Sequence, residues 1–379
     1  MMDMNGVQIA QGPDNSCETR RLVYGEAPFL IYWEMTRACD LACRHCRAEA
    51  NAERDPNEMG TWESMALLGR LRAFGPRSPH LVLTGGDPLK RSDFFDLLKY
   101  AIRIGMNVSV APSATQSLSQ AMLHRFRSCG VESISLSLDG SSPERHDSFR
   151  GVPGCFDCSI EAARHARGEG LGLQINTLVT AETEPDLPRI YQVVRNVDPM
   201  RWSLFYLISV GRGTALKEVP PERCEVLHHW LYELSRQAPF VVATTEAPHY
   251  RRVVLERMRV DGLSLASVRG TSLGRGFGIR DGNGIMFISH TGDVYPSGFI
   301  PVVAGNIRET DVVEIYRASK VFRKIRRATS FKGRCGRCEF KEICGGSRAR
   351  AYARSGDFLE TDPLCAYEPA PWSEGIAAT

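Results

Sequence analysis

Residues 34–49 read EMTRACDLACRHCRAE, and they place Cys39, Cys43 and Cys46 in a C-x3-C-x2-C spacing. The loop follows directly on an apolar run, LIYWEMT (30–36). Three clustered thiols are soft ligands suited to iron–sulfur chemistry. Zinc sites mostly use paired C-x2-C or C-x2-C…H arrangements that supply four ligands. No neighbouring residue completes a fourth ligand here, since His45 sits inside the loop at the wrong spacing. A cubane held by three thiolates leaves one iron open to a non-protein ligand.

Working outward, a strand-and-helix rhythm runs from residue 30 to about 240. The apolar runs 30–36, 80–85, 107–113, 133–140, 173–180 and 202–209 read as strands without clean alternation, as in a parallel sheet covered on both faces. Helical patterns lie between them, at 61–74, 92–105, 118–129, 156–170, 186–197 and 222–237. N-caps are visible at Thr61, with Ser64 following, and at Ser92 with Asp93. Six such units predict an α/β fold, a partial (β/α)6 parallel barrel, with the cysteine loop at the active-site end of its first strand. Past 240 the rhythm changes. TTEAPHYRR (244–252) opens a stretch without strand–helix pairing, and 273–284 is glycine-rich. IMFISHTGDVYPSG (285–298) predicts a hairpin, and 311–327 a helix. The domains expected are a flexible leader at 1–27, the barrel at 28–240 and a linker or substrate-side segment at 241–284. A small cysteine-rich domain follows at 285–370, with a tail at 371–379.

Composition bounds the function classes. With 379 residues, 43% hydrophobic and 24% charged, the protein is able to bury a large core. A net charge of +3 gives no reason to expect nucleic acid as partner, and Arg323, Lys324, Arg326 and Arg327 read as a solvated helix face. No apolar stretch reaches membrane-span length, and the N-terminus has no signal core. A cytoplasmic location is therefore expected, where 12 cysteines are not a disulfide framework.

The second cysteine group is CGRCEFKEICGGSRARAYARSGDFLETDPLC (335–365). Cys335, Cys338, Cys344 and Cys365 supply four thiolates, enough to saturate zinc or a [4Fe–4S] cluster, and spacing does not separate the two.

With both groups in view, the protein resembles the radical S-adenosylmethionine (SAM) enzymes carrying a C-terminal SPASM/twitch extension, over roughly residues 30–368. The resemblance implies a [4Fe–4S] cluster on Cys39, Cys43 and Cys46 whose open iron is chelated by SAM. It also implies one-electron cleavage of SAM to a 5′-deoxyadenosyl radical that abstracts a substrate hydrogen. Thr84-Gly85-Gly86-Asp87-Pro88 is similar to the family's GGEP turn, with Asp87 for Glu, and glycine lets that backbone approach SAM closely. His45 stands where the family usually has an aromatic residue. Ser113, Ser137 and Asn176 are placed to bond the ribose or carboxylate of SAM, and Arg150 to pair the carboxylate. The second group implies one auxiliary [4Fe–4S] cluster. Full SPASM domains hold two, but Ser297 and Ser347 stand at ligand positions and no cysteine falls between Cys224 and Cys335. Two clusters in all are expected.

The substrate is less determined. The tail resembles radical SAM enzymes acting on haem and haem d1 precursors, which implies an iron tetrapyrrole whose side chains are decarboxylated or oxidised. Arg212, Arg251, Arg252, Arg348 and Arg350 are candidates for its carboxylates, and His249 for its iron. Surface arginines and lone histidines are, however, commonly structural. Alternatives are a ribosomal-peptide maturase, weakened by the short segment before the first strand, or a small-molecule or sugar dehydrogenase or epimerase. A non-enzymatic, zinc-stabilised binding module would leave the first cysteine loop unexplained. A low-potential electron donor such as ferredoxin or flavodoxin is expected as a partner. Cys17, Cys129, Cys155, Cys158 and Cys224 remain unassigned, and the C-x2-C of Cys155 and Cys158 reads as redox-active or simply packed.

Overall fold

A computed structural model describes residues 24–75, 78–262, 274 and 276–370. Cys17, most of the leader and the tail at 371–379 lie outside the described residues. The strands are β1 (Leu30–Glu34), β2 (His80–Thr84), β3 (Val108–Val110), β4 (Ser133–Ser137), β5 (Gly172–Val179), β6 (Arg201–Tyr206) and β7 (Val241–Thr245). Each pairs in parallel with the next. Helices α1 (Thr61–Leu71), α2 (Phe94–Arg103), α3 (Gln120–Cys129), α4 (Pro143–Arg150), α5 (Cys155–Gly168), α6 (Leu187–Val197) and α7 (Pro221–Ser235) lie between them. Among the described residues no helix is long and apolar enough to cross a membrane.

Three expectations about the elements past residue 240 need correction. First, the stretch past 240 does contain strand–helix pairing: β7 continues the sheet and α8 (Tyr250–Val260) follows. The seventh unit was hidden because VVATT is short and its helix is rich in arginine. Second, the predicted hairpin at 285–298 forms, as β8 (Ile285–Ile288) against β9 (Asp293–Tyr295), but it does not stand apart. β8 pairs in parallel with β1, and β10 (Gly305–Asn306) pairs with β9, giving one ten-stranded sheet. Third, the helix expected at 311–327 is two, α9 (Val312–Ala318) and α10 (Lys320–Arg326). Ser319 sits between them in extended backbone, and its side chain accepts from Phe322 N, so it ends one helix and caps the next. The second cysteine region adds α11 (Gly333–Arg337) and α12 (Arg348–Ser355).

The strands do alternate, contrary to the reading of covered runs. One face packs on the helices: Ile31, Trp33, Leu81, Leu83, Ile134, Leu136, Leu173 and Ile175 are buried in the main core. The other face borders a cavity of about 730 Å³, to which β2 gives Thr84, β4 gives Ser133, Ser135 and Ser137, and β5 gives Gln174 and Asn176. The period of two places every second residue there. The polar half of "SISLS" and "LQINT" is therefore the inner lining of an incompletely closed barrel.

Candidate active site

The cysteine loop is fixed by backbone bonds that extend the β1–β2 pairing beyond both strands. Met35 N donates to Thr84 O at 2.8 Å, Gly86 N to Thr36 O at 2.8 Å and Asp87 N to Ala38 O at 2.7 Å. The glycine pair is obligatory at this contact. Gly85 has φ +151°, and a Cβ there would lie 2.4 Å from Thr36 O, while one on Gly86 would lie 2.4 Å from Ala38 O. On the other side, Arg44 N donates to Phe149 O at 3.0 Å and Arg212 N to Cys46 O at 3.1 Å. α4, which the strand–helix reading did not anticipate, therefore anchors the loop.

Cys39, Cys43 and Cys46 all border the large cavity, along with Gly85, Gly86, Ser113, Ser137, Arg150, Asn176 and His45. The structure thus brings the expected SAM-site residues together, with one exception in kind. Asp87 does not line the cavity. Its buried carboxylate accepts from Leu89 N at 3.1 Å and Ser113 N at 3.5 Å, pinning the turn from behind. Burial pushes its pKa up to about 6, and its Oδ2 has no partner.

The sulfurs are met by donors. Leu41 N lies 3.4 Å from Cys39 Sγ, Ala50 N 3.4 Å from Cys46 Sγ, and Arg150 Nη1 3.5 Å from Cys43 Sγ. Ser113 Oγ is 3.3 Å from Cys39 Sγ and also bonds Gly86 O at 3.2 Å. Three thiols, several N–H donors and one guanidinium suit an anionic thiolate-bound cluster, and the described residues offer it no fourth cysteine ligand in the loop. Arg150 is also paired with Asp139, a buried carboxylate. Burial raises the Asp139 pKa, but the Arg150 charge, His45, His146 and the Leu178 N–H together outweigh this and hold it below the ordinary range. His45 stacks on Phe149 with centroids 5.1 Å apart and planes 24° apart, and burial pushes its pKa down to about 4. It is a neutral ring, consistent with filling an aromatic position.

Cys335, Cys338, Cys344 and Cys365 converge on a second, much smaller pocket of about 30 Å³. Gly346 N donates to Cys344 Sγ, and Asp362 N and Arg348 Nη2 to Cys335 Sγ, each at 3.4 Å. Four thiols around so small a space fit a saturated cluster.

Several substrate candidates are placed elsewhere. Arg348 is fully buried and bonds Gly346 O, Phe358 O and Glu360 O, bracing the second pocket. Arg350 is held by Glu218, Asp362, Glu246 O and Leu207 O. Arg252 pairs with Glu225 and Glu256, and Arg212 reaches Ala50 O at 3.3 Å. None of these four borders the large cavity; Arg251 does. His249 does not reach that cavity either, so it is not placed to ligate an iron there. It lies beside Cys224 and His228 and borders the small pocket. Cys155 packs among Cys39, Leu41 and Cys43 at the cavity wall, whereas Cys158 does not reach it, and both are free thiols.

Sequence reasoning missed an acid pair. Glu246, with φ +59°, and Asp281 lie together on the cavity wall with Ser297 and Ser347. Ser347 Oγ donates to Glu246 Oε2 at 2.5 Å, and Ala349 N to Asp281 Oδ2 at 3.0 Å. Burial, then the neighbouring carboxylate, pushes the Glu246 pKa well up. The two serines standing at the absent ligand positions therefore meet around this pair. Nothing local in the sequence marks it, because the two acids are 35 residues apart (281 minus 246).

The family comparison agrees with this geometry. A radical SAM superfamily model matches residues 33–194, and the SPASM iron–sulfur cluster-binding domain matches 280–339. The AdoMet-dependent heme synthase of Oleidesulfovibrio alaskensis is 37% identical over 342 residues, 90% of this protein and 87% of that one. The protein belongs to the radical SAM superfamily. The AdoMet-dependent heme synthase of Methanosarcina barkeri is 36% identical, over 90% of this protein and 97% of its own length. Among solved structures, Streptococcus suis SuiB bound to S-adenosylmethionine superimposes with a TM-score of 0.71 at 17% identity, over 90% of this protein and 78% of SuiB. At that identity the likeness speaks for the fold alone. As a radical SAM enzyme, the protein uses SAM with a [4Fe–4S] cluster and carries an auxiliary iron–sulfur domain.

Proposed function

We propose that this radical SAM enzyme makes haem by converting propionate side chains of an iron tetrapyrrole to vinyl groups. The carrying observation is a step in similarity. Relatives named AdoMet-dependent heme synthase are 36–37% identical over 90% of the sequence, whereas an Fe-coproporphyrin III synthase, a pre-heme d1 synthase and two PqqA peptide cyclases all lie at 24–27%. The cavity of about 730 Å³ falls in the size range of cofactor-scale sites and supports the same reading.

Cys39, Cys43 and Cys46 hold the SAM-binding cluster, and the four later cysteines hold the auxiliary one. When bound there, SAM and the two clusters would supply the one-electron chemistry that oxidative loss of CO2 from a propionate needs. The protein's own residues do the positioning. Gly85 and Gly86 present backbone carbonyls to the SAM amine, while Ser113, Ser137 and Asn176 hold its ribose and carboxylate. Arg150 sets positive charge beside Cys43 and the carboxylate. Arg251 and Arg280 are the cavity-lining arginines assigned to the propionates, although Arg251 also bonds Ile279 O and Ile343 O, and Arg280 bonds Gly278 O and Arg326 O. Arg280 borders the cavity with its Nε unbonded, and burial brings its pKa down to about 10, still charged at neutrality. The enzyme works in the cytoplasm with a ferredoxin or flavodoxin as electron donor.

The test is anaerobic incubation of the reconstituted enzyme with SAM, a low-potential reductant and iron coproporphyrin III. Expected products are 5′-deoxyadenosine, CO2 and vinyl-bearing porphyrin, seen by mass spectrometry. SAM cleavage that iron coproporphyrin neither stimulates nor couples to porphyrin change would sink this reading.

A further inference from the structure

Cys224 belongs to neither cysteine set. It lies on α7 with His228 four residues on, so both share one helix face. His249, at the start of α8, closes against that face. Cys224 Sγ is 3.7 Å from His228 Nε2 and 3.4 Å from His249 Nε2. The three donor atoms all fall within 4.8 Å of one another, and none of the three residues is more than 1% exposed.

Hydrogen bonding alone satisfies this cluster poorly. The thiol has one proton, so it donates to one ring and accepts from the other. That leaves His228 Nδ1 without any partner, and His249 Nδ1 with only Asp362 Oδ2 at 3.7 Å, beyond hydrogen-bond reach. Tyr206, also buried, has its hydroxyl beside Cys224. A cation held by Sγ and the two Nε2 atoms leaves both Nδ1 atoms as they are, so what favours one is the donor geometry. Zinc–sulfur bonds near 2.3 Å and zinc–nitrogen bonds near 2.0 Å place sulfur and nitrogen donors about 3.5 Å apart at the tetrahedral angle. The observed separations of 3.4 and 3.7 Å bracket that value.

We infer that Cys224, His228 and His249 form a third metal site, separate from both cluster sites, for a borderline-soft divalent cation, zinc by ligand type. Asp362 stands behind His249 Nδ1, where a carboxylate orients a metal-bound imidazole. The Tyr206 hydroxyl or a water takes the remaining position. Because His249 also borders the four-cysteine pocket, the cation ties α7 and α8 to the wall of the auxiliary site. Zinc has no redox chemistry, so it braces that wall without competing for electrons.

The test uses the full-length protein, purified anaerobically after growth with zinc and with its clusters reconstituted. Elemental analysis should find about one zinc per protein beside the iron. Zinc-edge X-ray absorption should show a shell mixing one sulfur at about 2.3 Å with nitrogens at about 2.0 Å. Cys224→Ser and His228→Gln should each lower zinc at least about tenfold, the scale of a lost ligand contact, with iron unchanged. An all-sulfur shell would mean zinc in a cluster site and would overturn the inference. So would a zinc-free wild type, or zinc retained in both variants. Should a variant fail to fold, the wild-type absorption shell decides alone.

Discussion

The two cysteine sets share a pattern of N–H donors, with the Ser113 hydroxyl added beside Cys39 in the first. Around Cys39, Cys43 and Cys46 stand two backbone N–H donors and one guanidinium, from Leu41, Ala50 and Arg150. Around the second set stand two backbone N–H donors and one guanidinium again, from Gly346, Asp362 and Arg348. The larger difference is the count of thiols and what they face. Three face a cavity of about 730 Å³, and four face a pocket of about 30 Å³. Open coordination beside a large volume is a place for reaction, whereas closed coordination beside a small one serves storage or transfer of charge.

The strongest way to break this comparison is to remove one ligand from each set. Cys43→Ala should lower 5′-deoxyadenosine formation by more than about a hundredfold, because even outer-shell losses at metal sites cost 10–100-fold. Cys338→Ala should leave SAM cleavage measurable while ending porphyrin turnover. Normal turnover in the second variant would reduce the auxiliary cluster to a structural prop. Iron analysis sharpens the same contrast, since two [4Fe–4S] clusters give about eight irons per protein, and about twelve would mean that Ser297 and Ser347 do not mark a missing cluster.

A smaller effect separates the arginines. Arg251→Lys should raise the KM for the tetrapyrrole about tenfold, the cost of exchanging a forked charged contact for a point charge. Arg252→Gln, whose parent guanidinium is committed to Glu225 and Glu256 away from the cavity, should leave KM unchanged. Equal effects from the two would mean that cavity position does not decide which arginine meets substrate.

The contrast between Arg251 and Arg252 also shows where sequence stops being legible. The cysteine spacings, the Gly85–Gly86 turn and the strand rhythm are local, and each carries its chemistry in adjacent residues. Ser113 and Asn176 follow, because strand ends converge in any parallel barrel. Arg251 and Arg252 are neighbours in sequence, yet one borders the cavity and the other pairs with acids on helices. Nothing in "HYRR" distinguishes them, because the helix phase is set by packing of α8 on α7. The Glu246–Asp281 pair and the closing of His249 on Cys224 and His228 are illegible because tertiary packing, not sequence proximity, brings them together. His249 stands out in the sequence, but as a candidate for a cavity it does not reach.

The smallest expected effect concerns Asp87, which stands between the two behaviours: behind the SAM turn, but outside the cavity. Burial lifts its pKa from 3.8 to about 6. A raised carboxylate stabilises the fold in its protonated form, so its contribution is full below pH 3.8, decays as pH rises and is gone above about 6. The size is at most about 3 kcal/mol, from roughly two pKa units at 1.36 kcal/mol each. Asp87→Asn keeps an oxygen for Leu89 N and removes the titration, so its urea stability should stay flat between pH 4 and 6 where wild type declines. Asp87→Ala also loses the bond that caps the short turn at 88–90, at about 1 kcal/mol, and should weaken SAM binding only a few-fold if, as proposed, the backbone of Gly85 and Gly86 meets SAM. A loss of SAM binding as large as that of Cys43→Ala would instead place the Asp87 carboxylate directly on the SAM amine.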